Sequence, residues 1–298
     1  MEKRQLGNTD MQVSVLGFGG AEIGFEGVTV GSVAELLNSA LDEGLNVIDS
    51  AAAYLVSEQL IGKAVANRRK DFYLFTKCGA VDGFAKTDWS KAGILSHIET
   101  SLKNLQTDYL DLIQLHSCGI DELSKGEVID ALQTARDKGY ARYIGYSGDN
   151  EEARFAIETG AFDTLQTSIS IADQQGIDLT LPLAREKNMG VIAKRPVANA
   201  VWRTGQKPVS AYHHPYWERI QKLDYDFLQK DLSESVAIAL RFTLSQPGVH
   251  TAIVGTTKPG RWRENAEMLA AGALPQGEID KIRARWREVA DESWGGEV

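Results

Sequence analysis

The sequence predicts an α/β fold: a single (β/α)8 TIM barrel with an N-terminal β-hairpin and a C-terminal extra helix, residues 1–298 forming one domain. Three observations predict it. Short apolar segments alternate with amphipathic ones along the whole chain, without linker or low-complexity break. Eight such pairs can be counted, and eight even units favour closure into a barrel over an open doubly wound sheet. The segment Leu110–Leu115 is almost unbroken in its apolar character, as a strand buried on both faces requires.

The elements follow in order. Leu6–Ser14 reads as a hairpin turning at Asn8-Thr9-Asp10, and Val15–Gly19 as the first barrel strand. Ser32-Val33-Ala34-Glu35 has the form of a capping box, and Val33, Leu36, Leu37, Ala40 and Leu41 give the helix one apolar face. Asn46–Asp49 is the second strand, with a helix from Ser57 to Ala66. Phe72–Thr76 is the third, before a helix striped with Ile94, Leu95, Ile98, Leu102 and Leu105. Leu110–Leu115 is followed by a helix stopping at Lys138-Gly139, where glycine suits a left-handed end. Then come strand Ala141–Tyr146, helix Glu151–Thr159, strand Phe162–Gln166, helix Leu179–Asn188 and strand Val191–Ala193. After a long irregular stretch, helix Ser233–Ser245, strand Thr251–Val254, helix Arg261–Ala270 and the extra helix Gly277–Trp294 complete the pattern.

Composition narrows the function classes. The 298 residues are 43% hydrophobic and carry a net charge of −9 with both signs interspersed, so nucleic acid is not an expected partner. Cys78 and Cys118 are too few for a disulfide framework and lack zinc-ligand spacing. No apolar run suggests a signal peptide or membrane span, so a soluble, cytoplasmic protein is expected. Its oligomeric state is left open.

In a barrel, chemistry sits where strands end. Asp49 ends the second strand and Tyr54 follows; Lys77 ends the third strand and His116 the fourth. Singly, an aspartate there is usually a helix cap and a tyrosine usually packing. Lys77 and His116 close apolar strands, where a polar side chain needs a reason. Together the four suit protonation of a carbonyl oxygen as hydride reaches its carbon: the ammonium should lower the phenol pKa from about 10, Asp49 balances Lys77, and His116 orients the oxygen or relays the proton.

A hydride source must be a cofactor. No Gly-x-Gly-x-x-Gly fingerprint follows a strand, which counts against a Rossmann site but not against nicotinamide binding by a barrel. Lys258, Arg261 and Arg263 gather positive charge at the start of a helix, where the macrodipole disfavours cations. A phosphate bound there would remove the anomaly.

The run Asn46-Val47-Ile48-Asp49-Ser50-Ala51-Ala52-Ala53-Tyr54, then Ser57-Glu58-Gln59-Leu60-Ile61-Gly62, resembles the signature of the aldo-keto reductases, as do Phe75-Thr76-Lys77 and Asp111–His116. The resemblance covers essentially the whole chain and implies that Asp49, Tyr54, Lys77 and His116 are the catalytic tetrad, with Tyr54 the proton donor. It implies NADP(H) as cofactor: Arg261 on the 2′-phosphate, assisted by Thr256 and Lys258, with Val254 and Gly255 leading into that loop and Glu264 and Asn265 at the adenine. It places Ser147 and Gln166 on the nicotinamide carboxamide, and Gly19, Gly20 and Ala21 beside the ribose and pyrophosphate.

The chain departs from the family pattern at four places. Leu55 stands for the glycine after the tyrosine, and Gly148 for the asparagine after Ser147, with Asp149 or Asn150 able to compensate. Ser170 stands where asparagine is common. Ala193-Lys194-Arg195-Pro196 replaces the tyrosine-bearing strand end, so Arg195 would stack on the nicotinamide or Lys194 would reach a phosphate; a surface pair is the alternative. Glu22, Phe25 and Trp89 are expected substrate-pocket walls. The aromatic-rich segment 198–230 either covers the ligands or packs onto the barrel, and His213-His214 reads as a turn element, with no metal expected. The activity expected is reduction of a small-molecule aldehyde or ketone. The alternatives are a sugar or alcohol dehydrogenase running in reverse, or a cofactor-binding regulatory barrel; a metal-dependent hydrolase lacks the strand-end ligands.

Overall fold

The computed structural model describes residues 1–297. The strands, numbered in chain order, are β1 (Lys3–Gln5), β2 (Gln12–Ser14), β3 (Leu16–Gly19), β4 (Val47–Asp49), β5 (Tyr73–Cys78), β6 (Ala80–Val81), β7 (Lys86–Thr87), β8 (Leu110–His116), β9 (Ala141–Ser147), β10 (Thr164–Ser168), β11 (Gly190–Lys194) and β12 (Thr251–Gly255). Strands β3, β4, β5, β8, β9, β10, β11 and β12 close a parallel barrel, with β12 paired to β3. Every residue of β4, β8 and β10 is buried, because helices cover the outside and side chains fill the inside.

The β1–β2 hairpin plugs the N-terminal end of the barrel. Leu6, Met11 and Val13 are fully buried against Val47, Phe75, Leu112, Ile192 and Ile253 from the barrel interior. Complete burial stabilises by about 1.5–3 kcal/mol for each such side chain. Gly7 makes the turn at φ 55°, and a Cβ there would lie 2.2 Å from the Gly190 nitrogen, so no larger residue fits. Asp10 is gripped by both oxygens through Arg142 at 2.6 and 2.7 Å, and Arg142 in turn pairs with Asp111 at 2.8 Å.

Local chemistry shifted several boundaries. Helix Val30–Asp42 is capped by Thr29, whose hydroxyl accepts from the Ser32 amide at 3.2 Å, so Ser32 lies inside the helix instead of capping it. The helix expected over Leu179–Asn188 is two, Gln175–Leu179 and Leu181–Glu186; Pro182 lacks the amide needed to continue the first and suits the start of the second. Strand β5 continues through Cys78, so Lys77 projects from within it. The β6–β7 hairpin was not expected.

The 198–230 segment is structured. It contains helix His214–Leu223, whose Tyr216, Ile220 and Leu223 pack with Ile282, Trp286 and Trp294 of the closing part of the chain. Tyr225 and Phe227 are buried in the same cluster, so these aromatics pack the segment onto the barrel; Tyr212 stays exposed. His213 ends a short 3-10 turn and His214 opens the helix. Among the described residues no helix is long and apolar enough to cross a membrane.

Candidate active site

Parallel register brings the strand ends to one rim. Gly19 pairs with Asp49, Lys77 with Gln114, His116 with Ser147, Ser147 with Gln166, and Gly255 with Gly19. At that rim Lys77 Nζ donates to Asp49 Oδ2 at 2.5 Å and to the Ser50 carbonyl at 2.8 Å, with both charged side chains buried. The other Asp49 oxygen accepts from Gln166 at 3.0 Å and from Gln114 at 3.4 Å. Gln114, missed in the sequence because it lies inside an apolar strand, therefore helps fix the carboxylate.

Tyr54 follows β4 on a tight turn, its amide bonded to the Ala51 carbonyl and its carbonyl to the Ser57 amide. Its half-buried ring faces the Lys77 ammonium, 5.2 Å from the ring centroid. His116 stands edge-on at 5.5 Å, and Phe25 and Phe84 wall the ring at 6.2 and 6.3 Å. Phe84 also packs on His116 at 4.9 Å. Phe25 is one of the residues expected to wall the substrate pocket. Trp89, another, fills the space beside Gly79, where a Cβ would meet its ring at 1.9 Å, and packs against the core. Phe84, on the turn of the β6–β7 hairpin, is exposed and borders Tyr54 without having been expected there.

Burial dominates the electrostatics. It pushes the Asp49 carboxyl up and the Lys77 ammonium down, so each depends on the other for its charge. The Tyr54 phenol is raised by burial first and by the Asp49 charge second, opposite to the lowering expected from Lys77. Burial and the Asp49 charge both oppose the phenolate while the proton is held. His116 is held well below its usual value by burial and by Lys77, so its ring is neutral; its Nδ1 is buried with no partner among the described residues.

On the side expected to take the cofactor, Ser147 Oγ donates to Gln166 Oε1 at 3.0 Å, joining both residues to Asp49. The Gly20 amide bonds to the Asp49 carbonyl at 2.8 Å, and Ala21 opens helix Ala21–Phe25. Glu22, expected at the substrate, lies over Gly255: a Cβ there would fall 1.6 Å from its Oε2. Helix Arg261–Met268 begins at Gly260, with φ 84° and no side-chain cap; the Arg261 amide donates to the Lys258 carbonyl at 3.2 Å, and the next two amides stay open among the described residues. Lys258 is exposed beside it, and Thr256 Oγ1 accepts from the Lys258 amide at 3.1 Å. Arg261 pairs with Glu264 at 2.7 Å, Arg263 turns away to Glu43, and Asn265 is buried. Open amides, two cations and a glycine notch fit a phosphate-bearing nucleotide.

A family model described as the aldo/keto reductase family matches residues 15–287. The chain belongs to this family. An uncharacterized oxidoreductase of Bacillus subtilis is 29% identical over 97% of both chains, and an L-galactose dehydrogenase of Arabidopsis thaliana is 26% identical over 99% of this chain and 97% of its own. The solved holo form of an aldo-keto reductase from Bacillus halodurans superposes with TM-score 0.81, at 28% identity and 99% coverage of both chains.

Against the aldo-keto reductase pattern, the departures acquire contacts. Leu55 has φ 43°, a conformation easy for glycine and costing other residues about 1–2 kcal/mol. Lys194 pairs with Asp149 at 2.8 Å. Asp149 also accepts from Thr167 at 2.8 Å and the Ser168 amide at 2.6 Å, and although burial alone would raise its carboxyl, these partners hold it below the usual value. Asn150 binds the backbone of Gly296. Arg195 lies over the Tyr212 ring at 5.2 Å and donates to the Glu297 carbonyl. Asp149, Asn150, Lys194 and Arg195 thus each have partners within the chain.

Proposed function

We propose that the chain reduces a small-molecule aldehyde or ketone with NADPH, Tyr54 donating the proton to the carbonyl oxygen. One observation carries this: the buried Lys77–Asp49 pair beneath the Tyr54 ring, with His116 beside it. When bound, NADPH supplies the hydride. A general acid must hold its proton until the carbonyl arrives, and the raised phenol of Tyr54 does so. As the proton leaves, negative charge develops on the phenolate oxygen, and the fixed Lys77 ammonium is the cation positioned to stabilise it. Neutral His116 offers a ring N–H to the carbonyl oxygen and fixes its direction. Asp49 anchors Lys77, and through Gln166 it links this centre to Ser147 at the nicotinamide end.

Preference for NADPH over NADH rests on Arg261 and Lys258 at the open helix start, where a guanidinium matches a phosphate in shape and charge. Alcohol oxidation is the second reading, favoured by the name of the L-galactose dehydrogenase relative; the same residues serve it with Tyr54 as base. The test is consumption of NADPH and of NADH with an activated aromatic aldehyde, beside reduction of both oxidised cofactors with a panel of sugars. Faster NADPH consumption supports the proposal. Turnover only in the oxidative direction contradicts it.

A further inference from the structure

Two arginines converge on Glu297, Arg219 on its carboxylate and Arg195 on its backbone carbonyl. Arg219, on helix His214–Leu223, has a side chain only 6% exposed and donates to Glu297 Oε1 at 2.7 Å, to the Gly295 carbonyl at 2.8 Å and to the Ala172 carbonyl at 3.2 Å. Arg195, just beyond β11, donates to the Glu297 carbonyl. Two neighbouring acids do not serve them. Asp149 is committed to Lys194 and three hydrogen bonds from Thr167 and Ser168. Asp173 accepts from Tyr216 at 3.1 Å, and burial together with the Asp149 charge pushes its carboxyl up to about 8, leaving it neutral near pH 7.

The two sides of this contact differ in how firmly they are held. The arginines sit on a barrel strand's end and a packed helix. Glu297 sits on an irregular segment, its side chain 29% exposed, threaded in through Gly296, where a Cβ would lie 2.4 Å from that of Asp149. That segment is tied down by Trp294 packing on Trp286 at 5.3 Å and by the Asn150–Gly296 bonds. The contact is therefore a fixed cationic seat with a displaceable anion in it. Its field reaches the reacting centre: Arg195 is among the charges acting on both Tyr54 and His116. Planar guanidinium groups are the side chains best shaped to recognise a carboxylate.

We propose that Arg195 and Arg219 form a carboxylate subsite, closed by Glu297, and that the physiological substrate is an oxo acid whose acid group displaces Glu297. This substrate class rests on the carbonyl-reductase reading above; the subsite itself does not.

The experiment compares 4-formylbenzoate with its methyl ester, which differ in the charge and keep the same aldehyde. A charge-assisted bond is worth about 1.5–3 kcal/mol, so kcat/KM should favour the acid by about tenfold or more. In Arg219→Gln that ratio collapses toward unity, and in Glu297→Gln it rises through a lower KM for the acid. Hydrogen exchange without cofactor is the second readout: saturating 4-formylbenzoate should deprotect the 294–297 segment, and the ester should not. Equal use of acid and ester, both abolished by Tyr54→Phe, overturns the subsite and leaves the reductase reading standing. If neither aldehyde is reduced, exchange alone decides: deprotection by the acid supports the subsite, and unchanged protection overturns it.

Discussion

Lys77 Nζ stands 2.5 Å from Asp49 Oδ2, both side chains buried, on adjacent barrel strands. Neither charge has another full counter-charge within hydrogen-bonding distance among the described residues. Breaking such a pair from one side costs about 3–5 kcal/mol, because the survivor is left charged and dry. Lys77→Met and Asp49→Asn should each lose stability of that order in urea unfolding. The double variant should be more stable than the sum of the two losses implies, since it strands no charge.

At the other end of the rim, Arg261 has one ion-pair partner, Glu264, on a side chain 42% exposed, so that pair adds little stability. Arg261→Ala should leave the unfolding midpoint nearly unchanged. It should weaken NADPH binding by about ten- to a hundredfold while changing NADH binding little. Cofactor titration by fluorescence measures both. An equal loss for the two cofactors would remove Arg261 from the 2′-phosphate.

Asp173 gives a pH signature. Its Oδ1 is buried without a partner among the described residues, and its pKa rises from the ordinary 3.8 to about 8 through burial and the Asp149 charge, against opposing Arg219, Tyr216 and Arg195. A raised folded-state pKa means the folded protein holds a proton that the unfolded chain has released. This stabilising contribution is full below the ordinary carboxylate pKa and is lost as pH climbs through the folded value. Asp173→Asn mimics the protonated form and should not suffer that loss. The Tm difference, variant minus parent, should grow from pH 5 to pH 8 and then level; a constant difference across that range would contradict the assignment.

How much of this was legible in the sequence depends on what kind of contact is involved. The convergence of Asp49, Lys77 and His116 could be read because each interrupts or ends an apolar strand, and parallel register carries strand ends to one rim. The direction of the Tyr54 shift could not. It depends on how dry the phenol's surroundings are and on how near the Asp49 charge lies, which spacing does not record. Phe84 was not legible because loop aromatics look alike until the short β6–β7 hairpin sets one of them beside Tyr54. Arg219 and Glu297 meet across 78 residues of chain, beyond the reach of any local pattern.

The central claim is tested most directly by single-turnover loss of NADPH absorbance when pre-bound protein meets an activated aromatic aldehyde, in the parent chain and in Tyr54→Phe. General acid catalysis is worth about 10²–10⁴-fold, so the rate should fall by that factor in the variant with NADPH affinity unchanged. An undiminished rate in Tyr54→Phe, with cofactor equally bound, would contradict the assignment of the proton to Tyr54.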